Sequence, residues 1–221
     1  MLGRFKEALS KLFLPVANGA VRIGLTPNRI SVLGFVFSII GSILIIGNQI
    51  YPVDLISEGW RLIFTSVTIF GLGFCDLLDG LVARTKGMIT SFGGFLDSVL
   101  DRYTEIFIFA ALIIAGYCNF IWGIVALVGA LLVSYARARA EAAGLKNLGI
   151  GIAERPERLV ILGVAILLQG VIFVTSAIPT QQLIIYWAII ILAFLTHITV
   201  IQRFYYAYKR LPKTYTKEKK E

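Results

Sequence analysis

The sequence has 221 residues, of which 57% are hydrophobic and 15% charged, whereas about a quarter of a soluble domain is charged. This composition excludes an ordinary soluble domain and predicts a membrane protein. The formal charge of +8, from 21 Lys+Arg against 13 Asp+Glu, would indicate a nucleic-acid or acidic-lipid surface only if it were spread evenly, so position decides its meaning.

In chain order, Leu2, Phe5, Leu9, Leu12, Phe13 and Val16 recur at helical spacing with Arg4, Lys6, Glu7 and Lys11 between them. The pattern predicts an amphipathic helix over 2–24 lying in the membrane interface, kinked or restarted at Pro15. A cleaved signal peptide is not expected, because the apolar run starts only at Ile30. Thr26-Pro27 reads as an N-cap followed by a first-position proline.

Three long runs lack formal charge: 24 residues between Arg29 and Asp54, 31 between Glu105 and Arg137, and 44 between Arg158 and Arg203. One span needs about 20 apolar residues, so the two longer runs each contain a turn, at Gly116–Asn119 and at Ser176–Thr180. Six transmembrane helices follow, near 30–50, 60–85, 94–116, 120–143, 156–176 and 181–206. The fold class is an all-α integral membrane protein: a single domain over 1–211, with its six-span bundle over 30–206, and a basic cytoplasmic tail over 212–221. An even number of spans puts both termini on one side. Twenty of the 21 basic residues then collect on that side, leaving Arg61 alone opposite, which predicts a multi-pass cell-membrane protein with termini and active site cytoplasmic. The positive charge is therefore mostly topogenic, and no nucleic acid is expected. Cys75 and Cys118 have no metal or redox spacing and read as small buried residues. His197 reads as a packed, hydrogen-bonded histidine.

The acidic residues are more informative. Asp76, Asp79, Asp97 and Asp101 lie in apolar surroundings, where each carboxylate costs about 2.5–3.5 kcal/mol on insertion scales. At 100° per residue the first pair is about 60° apart and the second about 40° apart, so each pair shares a helix face. Spans two and three are joined by a short loop, and their acidic faces are expected to meet as antiparallel neighbours. Four carboxylates together require cations, and two divalent ions, Mg²⁺ or Mn²⁺, suit an oxygen-only ligand set. Paired metals clamp the attacking and leaving oxygens of a phosphoryl group. Gly80, Ala83 and Gly93 keep the same faces open, and Arg84 brings a fork of donors to their end.

The stretch from Asp76-Leu-Leu-Asp79-Gly80-Leu-Val-Ala83-Arg84 through Gly93-Gly-Phe-Leu-Asp97-Ser-Val-Leu-Asp101 resembles the complete signature of the CDP-alcohol phosphotransferase family. The resemblance implies metal-dependent transfer of a substituted phosphate from a CDP-linked lipid to an alcohol, with release of CMP. It implies that Asp76, Asp79 and Asp97 hold two divalent metals, and that Asp101 touches metal and deprotonates the alcohol. It also implies that Gly80, Arg84 and Thr90 hold the CDP part, with Asn28, Arg29, Ile30 and Ser31 from the start of span one, and that the protein is a homodimer among membrane lipids.

The acceptor is read from other charges. Arg137, Arg158 and Arg203 come from three helices at one depth, and converging guanidinium groups suit an acceptor that carries a phosphate. The Arg139-Ala-Glu-Ala142 ending of span four and the Glu154-Arg-Pro-Glu-Arg158 start of span five resemble the branch of the family that uses inositol 1-phosphate. Arg137, Arg158 and Arg203 are the expected contacts, with Arg155 a further candidate. The amino-terminal half resembles archaeal members, which implies CDP-archaeol as donor, with CDP-diacylglycerol the bacterial counterpart. Glycerol 3-phosphate, serine and free inositol are alternative acceptors. A cation-coupled transporter is the alternative of another class, since intramembrane acids also mark ion pathways.

Overall fold

The structure is a computed structural model that describes residues 13–145, 150–176 and 182–211, apart from the side chain of Asn48. Residues 13–22 form α1, followed by α2 (Pro27–Ile50), α3 (Leu55–Thr85), α4 (Ser91–Ile114), α5 (Phe120–Ala142), α6 (Arg155–Thr175) and α7 (Leu183–Arg210). No strand occurs among the described residues. Of the expected interfacial helix, residues 2–12 lie outside them, as do most of the expected break at 176–180 and the basic tail.

Local chemistry explains the helix ends. Thr26 caps α2, its hydroxyl accepting from the Arg29 amide, and Pro27 sits in the first turn, where a proline loses no helical hydrogen bond. Asp54 caps α3 and Thr90 caps α4 through their side chains. Gly116, at φ 75°, closes α4, a conformation that costs glycine little.

Among the described residues, five helices (α2, α3, α5, α6 and α7) are long and apolar enough to cross a membrane. The 24-residue α4 carries Asp97, Asp101, Arg102 and Glu105, and these charges set it apart. The helices close a ring, each packing on the next in the order α2, α3, α6, α7, α5, α4 and back to α2. The expectation that α3 and α4 pack as direct neighbours is thereby corrected: α4 leans on α2 and α5. The five-residue connection at 86–90 joins two helices whose acidic faces look across a gap. Four carboxylates repel one another, and the gap lowers that cost.

Apolar side chains such as Leu62, Ile69, Leu72, Ile108, Leu112, Ile166, Ile189 and Leu192 fill the interior. Small residues set the α3–α6 distance. A Cβ on Gly59 would stand 2.8 Å from the Gly170 carbonyl oxygen, and one on Gly170 would stand 2.8 Å from that of Gly59. One turn pair further on, the Ser66 hydroxyl donates to the Gly163 carbonyl at 2.9 Å. Close backbone approach through small residues is how membrane helices gain packing energy without a hydrophobic drive. Gly170→Ala is therefore expected to lower the thermal midpoint in detergent, with about 1–3 kcal/mol of overpacking. Gly73→Ala, whose nearest neighbour is a Leu159 methyl at 4.0 Å, should leave the midpoint unchanged; equal shifts in both would refute the close contact.

At the ring end remote from the signature acids, Glu58 is buried and accepts from Arg61 and from the Tyr117 hydroxyl. Arg61, the one basic residue expected on the far side, is thus held by a partner. His197 packs with Nδ1 3.0 Å from the Ala193 carbonyl, and both cysteines are buried and free, as expected.

Candidate active site

Asp76, Asp97 and Asp101 line a cavity of about 430 Å³ with Arg84, Arg102, Val133, Ser134, Arg137, Glu154, Arg155, Pro156, Arg158 and Arg203. Five helices of the ring contribute to it, which is why no contiguous segment of sequence describes it. Asp79 is buried beside this cavity and accepts a hydrogen bond of 2.6 Å from the Ser31 hydroxyl. The opening turn of α2 is thereby tied to the signature of α3, and the span-one stretch reaches the acidic site through Ser31.

The four acids do not converge on one point. Among the described residues, no three acidic, histidine or cysteine side chains are close enough to share an ion. Instead Arg155 Nη1 stands 2.5 Å from Asp76 Oδ2 and 2.5 Å from Asp101 Oδ1. Its Nη2 donates to the Thr104 hydroxyl at 3.0 Å, and that hydroxyl donates to the Asp101 carbonyl at 2.8 Å. A guanidinium thus bridges acids from α3 and α4, supplying the opposite charge that two facing carboxylates require. The donors are of the kind hard divalent cations take, all oxygen with two carboxylates on each helix, although the side chains as placed bring only Asp76 and Asp101 to one cationic atom.

The residues expected around the CDP part sit close to the acids but in distinct settings. Asn28 Oδ1 and Thr90 Oγ1 lie 2.9 and 2.8 Å from the place a Cβ on Gly93 would take, so a side chain there would displace Asn28 or the Thr90 cap where α2 and α4 meet. Arg84 folds back over Gly80, its Nη1 3.0 Å from the corresponding point. Arg29 Nη1 donates to the Gly24 carbonyl at 2.9 Å, fixing the turn between α1 and α2. Ile30 is buried in an apolar cluster with Ala17, Leu78 and Val82 and backs the site.

All four candidate arginines line the cavity, yet they differ in freedom. Arg158 is buried, bonding Glu105 through Nε and Nη2 and the Ala153 carbonyl through Nη1. Arg203 is likewise buried and reaches the Ile150 and Val133 carbonyls and Glu154. Arg137 is half exposed and pairs with Glu141 at 2.9 Å. Glu105, Thr104 and Ser134 were not singled out from the sequence, and Glu154 entered only as part of the stretch that opens span five. The first had a signal, since it follows Asp101 by four residues and so shares its face.

A second cavity of about 560 Å³ runs between α3 and α6. Ile69, Phe70, Leu77, Leu81, Leu159 and Val160 line it, and it ends on Asp76 and Arg84. An apolar lane with a polar end at the acidic site suits a lipid with a charged head.

The family model described as CDP-alcohol phosphatidyltransferase matches residues 24–201. The chain belongs to that family. Over 212 residues it is 32% identical to archaetidylinositol phosphate synthase of Pyrococcus horikoshii, covering 96% of this chain and 98% of that one. The synthase of the same name from Methanothermobacter thermautotrophicus is 36% identical over 215 residues, with 96% of each covered. Phosphatidylinositol phosphate synthase of Mycobacterium tuberculosis has been solved with CDP-DAG bound, and this fold matches it with a TM-score of 0.68 at 30% identity, over 90% of this chain and 94% of that one. The same enzyme solved with manganese and citrate gives 0.67 at 30% identity, over 88% of each. The protein is thus a multi-pass membrane enzyme that releases CMP from a CDP-alcohol, and the transporter alternative falls away.

Proposed function

We propose that this CDP-alcohol phosphatidyltransferase transfers the lipid phosphate group of CDP-archaeol to inositol 1-phosphate, giving archaetidylinositol phosphate and CMP. The observation that carries the choice of acceptor is that Arg137, Arg155, Arg158 and Arg203 share one cavity with Asp76, Asp97 and Asp101. A phosphorylated acceptor could be held there beside the reacting phosphorus. The similarity to two archaeal archaetidylinositol phosphate synthases supports the same acceptor and favours the ether-lipid donor.

Asp76, Asp79, Asp97 and Asp101 hold two divalent cations, Mg²⁺ or Mn²⁺, and this reading is in keeping with the manganese complex of the mycobacterial relative. When bound there, such ions would supply positive charge to the pyrophosphate and to the departing CMP. Asn28, Arg29, Ser31, Gly80, Arg84 and Thr90 surround the CDP part, with Ile30 behind them, while the lipid chains lie in the apolar lane between α3 and α6. Asp101 takes the proton of the acceptor hydroxyl. The freed oxygen forms a bond to the lipid-side phosphorus as the bond from that phosphorus to CMP breaks. The ring comprises six spans, α4 included because Asp97, Asp101 and Arg102 line the cavity and Glu105 is paired with Arg158, and α1 lies in the interface. The domain occupies 1–211, followed by a basic tail over 212–221. Both termini and the site face the cytoplasm, where nucleotide and inositol phosphate are dissolved, and the protein is a homodimer.

With purified protein, Mn²⁺ and a mixture of CDP-archaeol and CDP-diacylglycerol, CMP release is expected with inositol 1-phosphate and not with glycerol 3-phosphate, serine or inositol. Mass spectrometry of the product identifies the donor. Turnover with another of these alcohols and none with inositol 1-phosphate would refute the reading of the arginine cavity.

A further inference from the structure

Arg155 stands apart from the other arginines of the cavity. Arg158 and Arg203 are tied to Glu105 and Glu154 and to backbone carbonyls, so their places are fixed by the packing of α4, α5 and α7. Arg155 binds none of these. Its Nη1 lies between Asp76 and Asp101, at 2.5 Å from an oxygen of each, and its Nε is buried without a partner among the described residues. The group therefore stands at the midpoint between two acids read as metal ligands while leaving one of its own donors unused. Its backbone is anchored, because Arg155 is the first residue of α6 and Pro156 follows it with restricted φ. Its side chain is held by Asp76, Asp101 and the Thr104 hydroxyl, two of them groups that a cation would compete for.

A guanidinium and a divalent cation cannot both bridge the same two carboxylate oxygens, since two positive charges a few ångströms apart in a low-dielectric site repel strongly. The same cavity continues past Arg155 to Ser134, Arg137, Arg158 and Arg203, so a displaced guanidinium has a polar place to turn to. We propose that Arg155 is the resident counter-ion of the metal-free site. It holds Asp76 and Asp101 together across α3 and α4 until a divalent cation displaces it, and it then turns into the arginine-lined cavity to bind the acceptor's phosphate. The proposal rests on the metal and acceptor assignments above and adds an order to them: the cation enters first, and its entry makes the acceptor site. Arg155 thus acts at both ends of the site, as a competitor of the metal and as a contact of the acceptor.

The test is Mn²⁺ binding to the full-length protein in detergent without substrates, read by electron paramagnetic resonance, for wild type, Arg155→Gln and Arg155→Lys. Removing the competing charge should tighten Mn²⁺ binding at least about threefold in Arg155→Gln. Arg155→Lys, which keeps the charge but not the fork, should fall between the two. Melting in EDTA and in saturating Mn²⁺ supplies a second readout. The gap between the two midpoints should widen in Arg155→Gln, because the metal-free acids have lost their partner, while the Mn²⁺ midpoint stays near that of wild type. The KM for inositol 1-phosphate should also rise while that for CDP-lipid stays constant. Equal or weaker Mn²⁺ binding in Arg155→Gln, with wild type binding normally, would overturn the counter-ion role. An unchanged acceptor KM would overturn the second half of the motion. Absence of Mn²⁺ binding in wild type and variants alike would remove the metal reading itself, and the proposal with it.

Discussion

Asp101→Asn is expected to lower CMP release by at least about 10³-fold, within the range that a positioned general base supplies, and without loss of folding. Asp101 projects from α4 into the cavity one turn beyond Asp97, and it faces Asp76 across the gap occupied by Arg155. The amide is nearly the same size, so packing is preserved. It cannot accept the proton of the alcohol, and its bond to Arg155 loses its charge. Asp76→Asn should be as inactive for a different reason, since it removes a carboxylate proposed above as a metal ligand. Mn²⁺ titration separates the two: Asp101→Asn should retain the greater part of the binding that Asp76→Asn loses. CMP release within tenfold of wild type in Asp101→Asn would remove Asp101 as base. Arg155 gives a further reason for measuring binding alongside turnover. Once Asp101 is neutral the guanidinium keeps only Asp76, so the metal competes with a weaker partner.

Much of this site was legible in the sequence because charge is scarce there. In a chain with 15% charged residues, an acid inside an apolar helix costs enough to mark itself, and helical spacing shows which acids share a face. Thr26-Pro27 and Gly116 marked their helix ends for equally local reasons. The path of the ring was not legible. That α3 packs on α6, and α4 on α2 and α5, depends on small residues such as Gly59, Gly163 and Gly170 meeting others more than 90 positions away, and no periodicity records a partner. The same limit hid the cation between Asp76 and Asp101. Arg155 lies 79 residues from one and 54 from the other, and in sequence it resembled its neighbour Arg158. Burial separates the two: one arginine is enclosed by Glu105 and Ala153, while the other bridges the acids.

That separation leads to an expected result for Arg158. Its pairing with Glu105 is buried, both side chains being at most 5% exposed, and it joins the start of α6 to α4 beneath the cavity. Removing one half of such a pair leaves an uncompensated charge in a medium that solvates it poorly, at a cost of about 3–5 kcal/mol. Arg158→Leu and Glu105→Leu should therefore each lower the thermal midpoint strongly, whereas Arg158→Leu/Glu105→Leu together should recover most of the loss. Apolar replacement of a whole buried pair is often neutral or stabilising, and two residues in contact are expected to be non-additive. Stability alone does not decide whether Arg158 also contacts the acceptor, and the same three proteins resolve this by their kinetics. If Arg158 grips the phosphate, the doubly substituted protein regains stability while its KM for inositol 1-phosphate stays high and that for CDP-lipid stays near wild type. If the acceptor KM returns with the midpoint, Arg158 is only the tie between α6 and α4. The phosphate would then fall to Arg137, Arg203 and the displaced Arg155. Arg137 is half exposed and Arg203 is fixed by its carbonyl and Glu154 bonds. Arg155 would then be the one grip in the cavity whose availability depends on metal.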